Sequence, residues 1–260
     1  MTSVLILAGN RHENCPLCDD AGVPSKALVP LGGVRLIDHM LRALRDTPAL
    51  TGNIWISGYC PRKLEDGAPN DLKTFLPRVH AMPDECGPAH AALAALDAGA
   101  STPLLITTCD HPLLTPEMIE AVIDGADDME CDFAVGLASR EIIESAYPNT
   151  KRTYLKLAGE GYSGCNLFLV RTERGKQAIA FWRDVAKDRK KPLQIARRFG
   201  FAALVRMFTG NLSIDAAFEH GSKRIGAKLA PVVIPIPEAA IDVDKPADLA
   251  LVREIMKQAS

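Results

Sequence analysis

The chain lacks an excess of charge of either sign. Lys and Arg number 30 and Asp and Glu 32, for a net charge of −2. Such a balance gives no electrostatic footprint for general nucleic-acid binding. No apolar run approaches the roughly 20 residues that span a bilayer. No basic segment precedes the first apolar stretch, so no secretory signal is expected. Repeats, low-complexity stretches and linkers are also missing, and a single domain over residues 1–260 is expected. Cysteine is sparse: the seven are an odd number, scattered through strand-like segments. They read as reduced thiols, and a cytoplasmic location is expected. Cys15 and Cys18 form one CxxC with His12 three residues earlier, but no second pair supplies the remaining ligands of a zinc site. The motif lies in a Pro-containing polar stretch, so free cysteines in a loop are expected rather than a redox motif opening a helix.

What is present is an ordinary apolar content of 47%, ample for a core, arranged as alternating strands and helices. Residues 4–8 read as a buried strand and residues 36–45 as a helix, with apolar positions 36, 37, 40, 41 and 44 on one face. Strands are expected at 53–57, 78–81, 104–107 and 131–137, and helices at 88–98 and 116–123, the latter capped by Thr115. This βαβα order argues for an α/β fold, a parallel sheet covered by helices. Further on, 153–157 and 165–170 read as strands of a hairpin-like insertion. A helical region follows to about 218, then short strands at 232–236 and 240–243 and a closing helix at 247–256.

Three points in this pattern carry chemistry. The strand at 4–8 runs into Gly9 and a polar loop that carries Arg11 and ends at Lys26. A parallel strand opening into such a loop suits a triphosphate, because backbone N–H groups approach the phosphates and the two cations neutralise them. Asp110 follows the apolar strand at 104–107, and the carboxyl end of a central parallel strand faces the ligand crevice of an open sheet. A carboxylate there suits Mg²⁺, which prefers oxygen ligands and keeps waters and substrate phosphates; the alternative is a helix-capping Asp. Asp242 and Asp244 point the same way in an extended segment, so both can face one cation. The alternative is that Asp244 caps the helix near Pro246.

These segments resemble the signature of the MobA-like nucleotidyltransferases, a family with a GT-A-type fold and a mixed, mostly parallel sheet in three α/β/α layers. Leu7, Ala8, Gly9, Arg11 and Lys26 match its L-A-G-G-x-G-x-R…K pattern, with Asn10 and His12 where loop glycines usually stand. The Asp110 position resembles the metal-holding acid of a D-x-P element. Residues 241–249, IDVDKPADL, resemble the family's closing motif. The resemblance implies a Mg²⁺-dependent transfer of a nucleoside monophosphate from an NTP to a phosphorylated acceptor (a sugar, polyol or lipid-related phosphate) with release of pyrophosphate. It implies Lys26, Arg11 and Asp110 as catalytic residues and Asp110, Asp242 and Asp244 as metal donors. Leu7, Ala8, Gly9, Asn10, Ser57, Gly58, Gly87 and Pro88 are expected to line the nucleotide. Residues 138–230 are then the acceptor-side subregion.

Within that subregion the Gly164-Cys165-Asn166 turn resembles the family's G-G-N segment. Lys151 and Arg152, with Tyr154, are placed to grip an acceptor phosphate. The stretch 188–208, with Lys190, Lys191, Arg197, Arg198 and Arg206, has two readings. One is a helix pair at a membrane surface serving a lipid-linked acceptor; the other is helices covering the sheet with their charges in solvent. Two other functions stay open: a GT-A glycosyltransferase, which would want a D-x-D after a central strand, and a nucleotide-binding regulator without catalysis.

Overall fold

Three short segments, SVLIL, IWIS and LLITT, have little choice but to pair with one another. Each is an apolar or β-branched run too short for a helix, and such runs are stable only where both faces are covered. In the computed structural model, which describes residues 1–9, 15–59, 64–83, 87–187 and 212–258, they are β1 (Ser3–Leu7), β4 (Ile54–Ser57) and β6 (Leu104–Thr108). Val4, Leu5, Ile6, Leu104, Leu105 and Ile106 are fully buried. The chain divides into two compact units, Met1–Glu120 with Ile241–Ser260, and Ala121–Ala240.

In the first unit the strand order is β6-β1-β4-β5, with β5 at Val79–Met82, and every pairing is parallel. The register puts Leu7 opposite Ser57 on one side and Thr108 on the other, so three strands end level. Helices α2 (Leu36–Asp46) and α3 (Pro88–Asp97) cover the unit together with the closing α8 (Pro246–Gln258). Helix α2 starts where Arg35 and Asp38 form a capping box, with Asp38 buried beneath the Arg35 guanidinium at 2.8 Å. A small ribbon, β2 (Pro30–Leu31) with β3 (Val34–Arg35), fills what the sequence shows only as a Pro-Gly-Gly turn.

The CxxC expectation is corrected. Residues Pro16–Ala21 form a short helix, α1, with Cys15 at the N-cap, Pro16 in the first turn and Gly22 as a left-handed C-cap. Cys15 and Cys18 are joined as a disulfide, so these two are not the free loop thiols expected. Proline at the start and glycine at the stop outweigh the loop-like polarity between them. Cys109, Cys131 and Cys165 are buried and, among the described residues, in no disulfide.

In the second unit β7 (Phe133–Ser139) lies between β10 (Leu229–Val233), parallel to it, and β9 (Glu160–Val170), antiparallel. Strand β8 (Leu155–Leu157) folds back onto β9 as a hairpin. Helices α4 (Pro116–Asp128), α5 (Arg140–Ala146), α6 (Lys176–Lys187) and α7 (Ile214–Ile225) complete it. The pairing is thus mixed and mostly parallel along the main strands, an α/β fold as expected. Helix α5 was not foreseen, and the strand expected at 240–243 is instead a 3₁₀ turn, Pro237–Ala240, followed by chain that belongs to no strand. The segment expected to turn at Gly164-Cys165-Asn166 runs straight on as β9, with a bulge. Val135 faces Phe168 but Leu137 faces Gly164, so β9 carries extra residues there, and Asn166 sits in the left-handed region at φ 51. Among the described residues no helix is long and apolar enough to cross a membrane. The basic stretch 188–208 lies outside the described residues.

Candidate functional site

The level carboxyl ends of β1, β4 and β6 are where the first unit's chemistry gathers. The chain leaves β1 through Ala8, whose N–H donates to the Ser57 carbonyl at 2.8 Å, and leaves β6 through Cys109, whose N–H donates to the Leu7 carbonyl at 3.1 Å. Gly58 then passes so close to Gly9 that a Cβ on it would stand 2.3 Å from the Gly9 Cα. Only glycine admits that approach, and its φ of 82 also needs glycine. Ser57 is buried, and its hydroxyl donates to the Pro83 carbonyl at 3.3 Å. Both residues expected to line the nucleotide therefore also hold two loops together.

Lys26 opens a 3₁₀ turn, Lys26–Leu28, whose N-cap Ser25 accepts from the Ala27 N–H. The turn is anchored by fully buried Ala27 and Val29, which fixes the Lys26 backbone while its flexible stem stays free to reach. The ammonium donates to Asp110 Oδ2 at 2.8 Å and to Asp244 Oδ1. The Lys26 and Asp110 side chains keep only 18% and 14% of their exposure, while Asp244 keeps 48%. Burial alone would pull the Lys26 pKa down. The Asp110 charge and hydrogen bond, and then Asp244, more than reverse this, and the pKa lies well above its ordinary 10.5. Lys26 is therefore charged at every physiological pH.

Asp244 reaches this place because of two backbone features. Val243 N–H donates to the Asp110 carbonyl at 2.8 Å, tying the closing segment to the turn after β6. Ile241 and Val243 are fully buried, so the period-2 alternation sends residues 242 and 244 the other way. Asp248 in the first turn of α8 reaches back and accepts from the Asp244 and Lys245 N–H groups at 3.0 and 2.9 Å, which holds the Asp244 backbone at the helix start. The Asp244 carboxylate meets the Lys26 ammonium. Asp248, Ser25 and the Val243 backbone were not foreseen as builders of the site. A capping spacing, an acid three residues past Lys245, which precedes the helix, is the signal that marks Asp248.

Asp110 has a further property. Its Oδ1 is buried and makes no hydrogen bond among the described residues. A buried carboxylate oxygen without a partner costs roughly 1–3 kcal/mol or more, and a cation removes that cost. Two carboxylates fit Mg²⁺, which commonly takes only one or two protein carboxylates and keeps waters and substrate oxygens. Among the described residues no group of three or more His, Cys, Asp or Glu is placed to hold a metal ion; Asp242 is half-buried in the same closing segment as Asp244. Neighbouring Cys109 is fully buried; burial first, and then the Asp110 charge, push its thiol pKa up, so it stays protonated and is no nucleophile.

Gly87 caps α3 at φ 109 with Pro88 in the first turn, a conformation that glycine alone takes easily. Arg11 and Asn10 lie outside the described residues. Lys151, Arg152, Gly164 and Asn166 all belong to the second unit. There Lys151 and Gly164 are exposed and Arg152 and Asn166 half-buried, and the Arg140 guanidinium lies 5.6 Å from the centre of the Tyr154 ring.

The family described as "MobA-like NTP transferase domain" matches residues 4–211. A hypothetical transferase from Thermus thermophilus has 30% identity and a TM-score of 0.76, covering 95% of this chain and 99% of that one. A CMP:2-keto-3-deoxy-manno-octonic acid synthetase complexed with CTP shares the fold at 15% identity and a TM-score of 0.56, covering 100% of this chain and 98% of its own. A 4-diphosphocytidyl-2C-methyl-D-erythritol synthase from Anaerococcus prevotii does so at 9% identity and 0.56, covering 98% of each chain. Among curated proteins, no sequence matches the chain.

Proposed function

The chain belongs to the MobA-like NTP transferase family, and from that premise we propose that it moves a nucleoside monophosphate from an NTP to a phosphorylated acceptor, releasing pyrophosphate. The observation that carries the proposal is Lys26 held against Asp110 and Asp244 at the carboxyl ends of β1 and β6. An acceptor phosphate oxygen attacks the α-phosphorus, a new P–O–P bond forms, and the bond from the α-phosphorus to its bridging oxygen breaks. The bonding electrons leave with pyrophosphate. A phosphate is already an anion, so no protein base has to take a proton. The protein's part is positioning and charge neutralisation.

Lys26 neutralises the triphosphate and the charge that grows on the departing oxygens. Arg11, as the family signature implies, serves the same phosphates. Asp110 and Asp244 would hold Mg²⁺, which supplies Lewis-acid polarisation of the phosphoryl oxygens. Leu7 to Asn10, Ser57, Gly58, Gly87 and Pro88 line the nucleotide, and Lys151, Arg152, Gly164 and Asn166 take the acceptor.

The test is pyrophosphate release from CTP, GTP, ATP and UTP with Mg²⁺, each with and without sugar, polyol and lipid phosphates. One NTP and one phosphorylated acceptor should together release pyrophosphate and yield a pyrophosphate-linked product. Release of a nucleoside diphosphate from a nucleotide sugar, with no pyrophosphate from any pairing, would replace this reading with glycosyl transfer.

A further inference from the structure

The Lys26 ammonium lies where two acids expected to hold a metal converge, bonded to one oxygen of each. We propose that Lys26 is a built-in stand-in for the divalent cation: without nucleotide it occupies the two carboxylates and competes with a metal for them, and a triphosphate that draws Lys26 away hands them to the metal. The inference rests on the reading that Asp110 and Asp244 are metal donors.

Charge argues for the exchange. Among the described residues the Lys26 ammonium is shared between the two carboxylates, and Asp110 Oδ1 is still buried and unbonded. A divalent cation added beside Lys26 would set two cations against each other at short range in a half-buried place. With Lys26 moved onto phosphate oxygens, the divalent cation balances the carboxylates and the lysine balances the phosphates. The lysine is suited to move. Its backbone is pinned by the Ser25 cap and by buried Ala27 and Val29. Its ammonium is a compact charge on a four-carbon stem with freely rotating donors. Its partners lie 84 and 218 residues away, so releasing them disturbs no local turn. Metal and nucleotide binding are then coupled, each raising the other's affinity.

The experiment titrates Mn²⁺ alone into nucleotide-free protein and reads free Mn²⁺ by electron paramagnetic resonance. Folded Lys26→Gln should bind Mn²⁺ about tenfold or more tightly than wild type, and adding Asp110→Asn to that variant should abolish the gain. Equal Mn²⁺ affinity for wild type and Lys26→Gln would overturn the stand-in role, while Mn²⁺ uptake by wild type with an NTP would leave the metal reading standing. A gain that survives Asp110→Asn, with no nucleotide-dependent uptake by wild type, would sink both. If Lys26→Gln does not fold, acylation of Lys26 in wild type, followed by mass spectrometry, decides. It should quicken at saturating Mn²⁺ if the two compete, and an unchanged rate overturns the proposal.

Discussion

Asp110 and Asp132 are both acids at the end of a strand, and they differ in what their oxygens do. Asp110 follows the carboxyl end of β6; one oxygen takes Lys26 and the other is buried without a hydrogen bond among the described residues. Asp132 precedes the amino end of β7, and both of its oxygens are used. Oδ1 accepts from the Thr172 hydroxyl at 2.6 Å and Oδ2 from the Lys228 N–H at 2.8 Å. Its backbone joins in, with the Asp132 N–H bonded to the Lys228 carbonyl at 2.7 Å and its carbonyl accepting from Arg171 N–H at 2.9 Å. One acid is satisfied by the fold and fastens the starts of β7 and β10 to the end of β9. The other is left incomplete, with the Lys26 ammonium as partner of one oxygen. An acid that the fold finishes is structure; an acid that the fold leaves open is a place for a ligand.

The comparison breaks first if Asp110 can be neutralised without loss of turnover. Asp110→Asn keeps the shape and removes the charge that faces Lys26. The expected fall in kcat/KM is about 10²–10³-fold, with the melting transition kept and cooperative. Steady-state pyrophosphate release beside a thermal scan measures both, and wild-type turnover in the folded variant would reduce Asp110 to a partner for Lys26.

Asp132→Ala tests the other side. It removes two hydrogen bonds and leaves a half-buried Thr172 hydroxyl and a backbone N–H wanting, at a cost of about 2–3 kcal/mol in urea unfolding. Turnover per folded molecule should not change. The acid limb gives a second readout. Burial pushes the Asp132 pKa up, but the Thr172 and Lys228 hydrogen bonds outweigh it, and the net shift is downward from 3.8. A lowered folded pKa contributes stability above the unfolded value, and that contribution is lost as pH falls below about 4 through the folded value. Wild type should therefore lose more stability than Asp132→Asn between about pH 4 and pH 2. Parallel curves would show that the Asp132 charge does nothing for the fold.

The strands of the first unit were readable because each is a short apolar run with a glycine, a proline or a capping residue at its end. The site was readable only as far as topology carries it. Nothing local links Lys26 to residues 84 and 218 positions away; the rule that ligands gather at the carboxyl ends of parallel strands brings them together. The sequence favours Asp244 facing the site over capping a helix, and the structure puts its carboxylate on Lys26 while Asp248 accepts from its N–H. Misreadings came where one local signal has two outcomes. At 240–243 the alternation gives extended chain, but the Val243 N–H goes to the turn after β6 rather than to a neighbouring strand. At 140–146 the helix is too short for periodicity to register, and only its Ser139 cap marks it. At 164–166 glycine and asparagine spell a turn, yet a strand of 11 residues absorbs them as a bulge.

That bulge offers the finest test of the distinction between finished and open positions. Asn166 holds φ 51, a region that costs a residue with a side chain roughly 1 kcal/mol and that asparagine tolerates better than most. A bulge re-aims a side chain, and proteins place bulges beside active sites. Asn166→Gly relieves the backbone while enlarging the unfolded ensemble by a similar amount, so stability should move by less than about 1 kcal/mol. If the asparagine is there only for the bulge, glycine does the same work and the kinetics stay as they were. If its amide holds the acceptor, the acceptor KM rises about tenfold, the loss of one good hydrogen bond, while the NTP KM and the melting temperature hold still. Because glycine is the residue the backbone there most readily accepts, a rise confined to the acceptor KM can only be the missing amide. An unchanged acceptor KM would return Asn166 to the fold and leave Lys151 and Arg152 to account for acceptor binding.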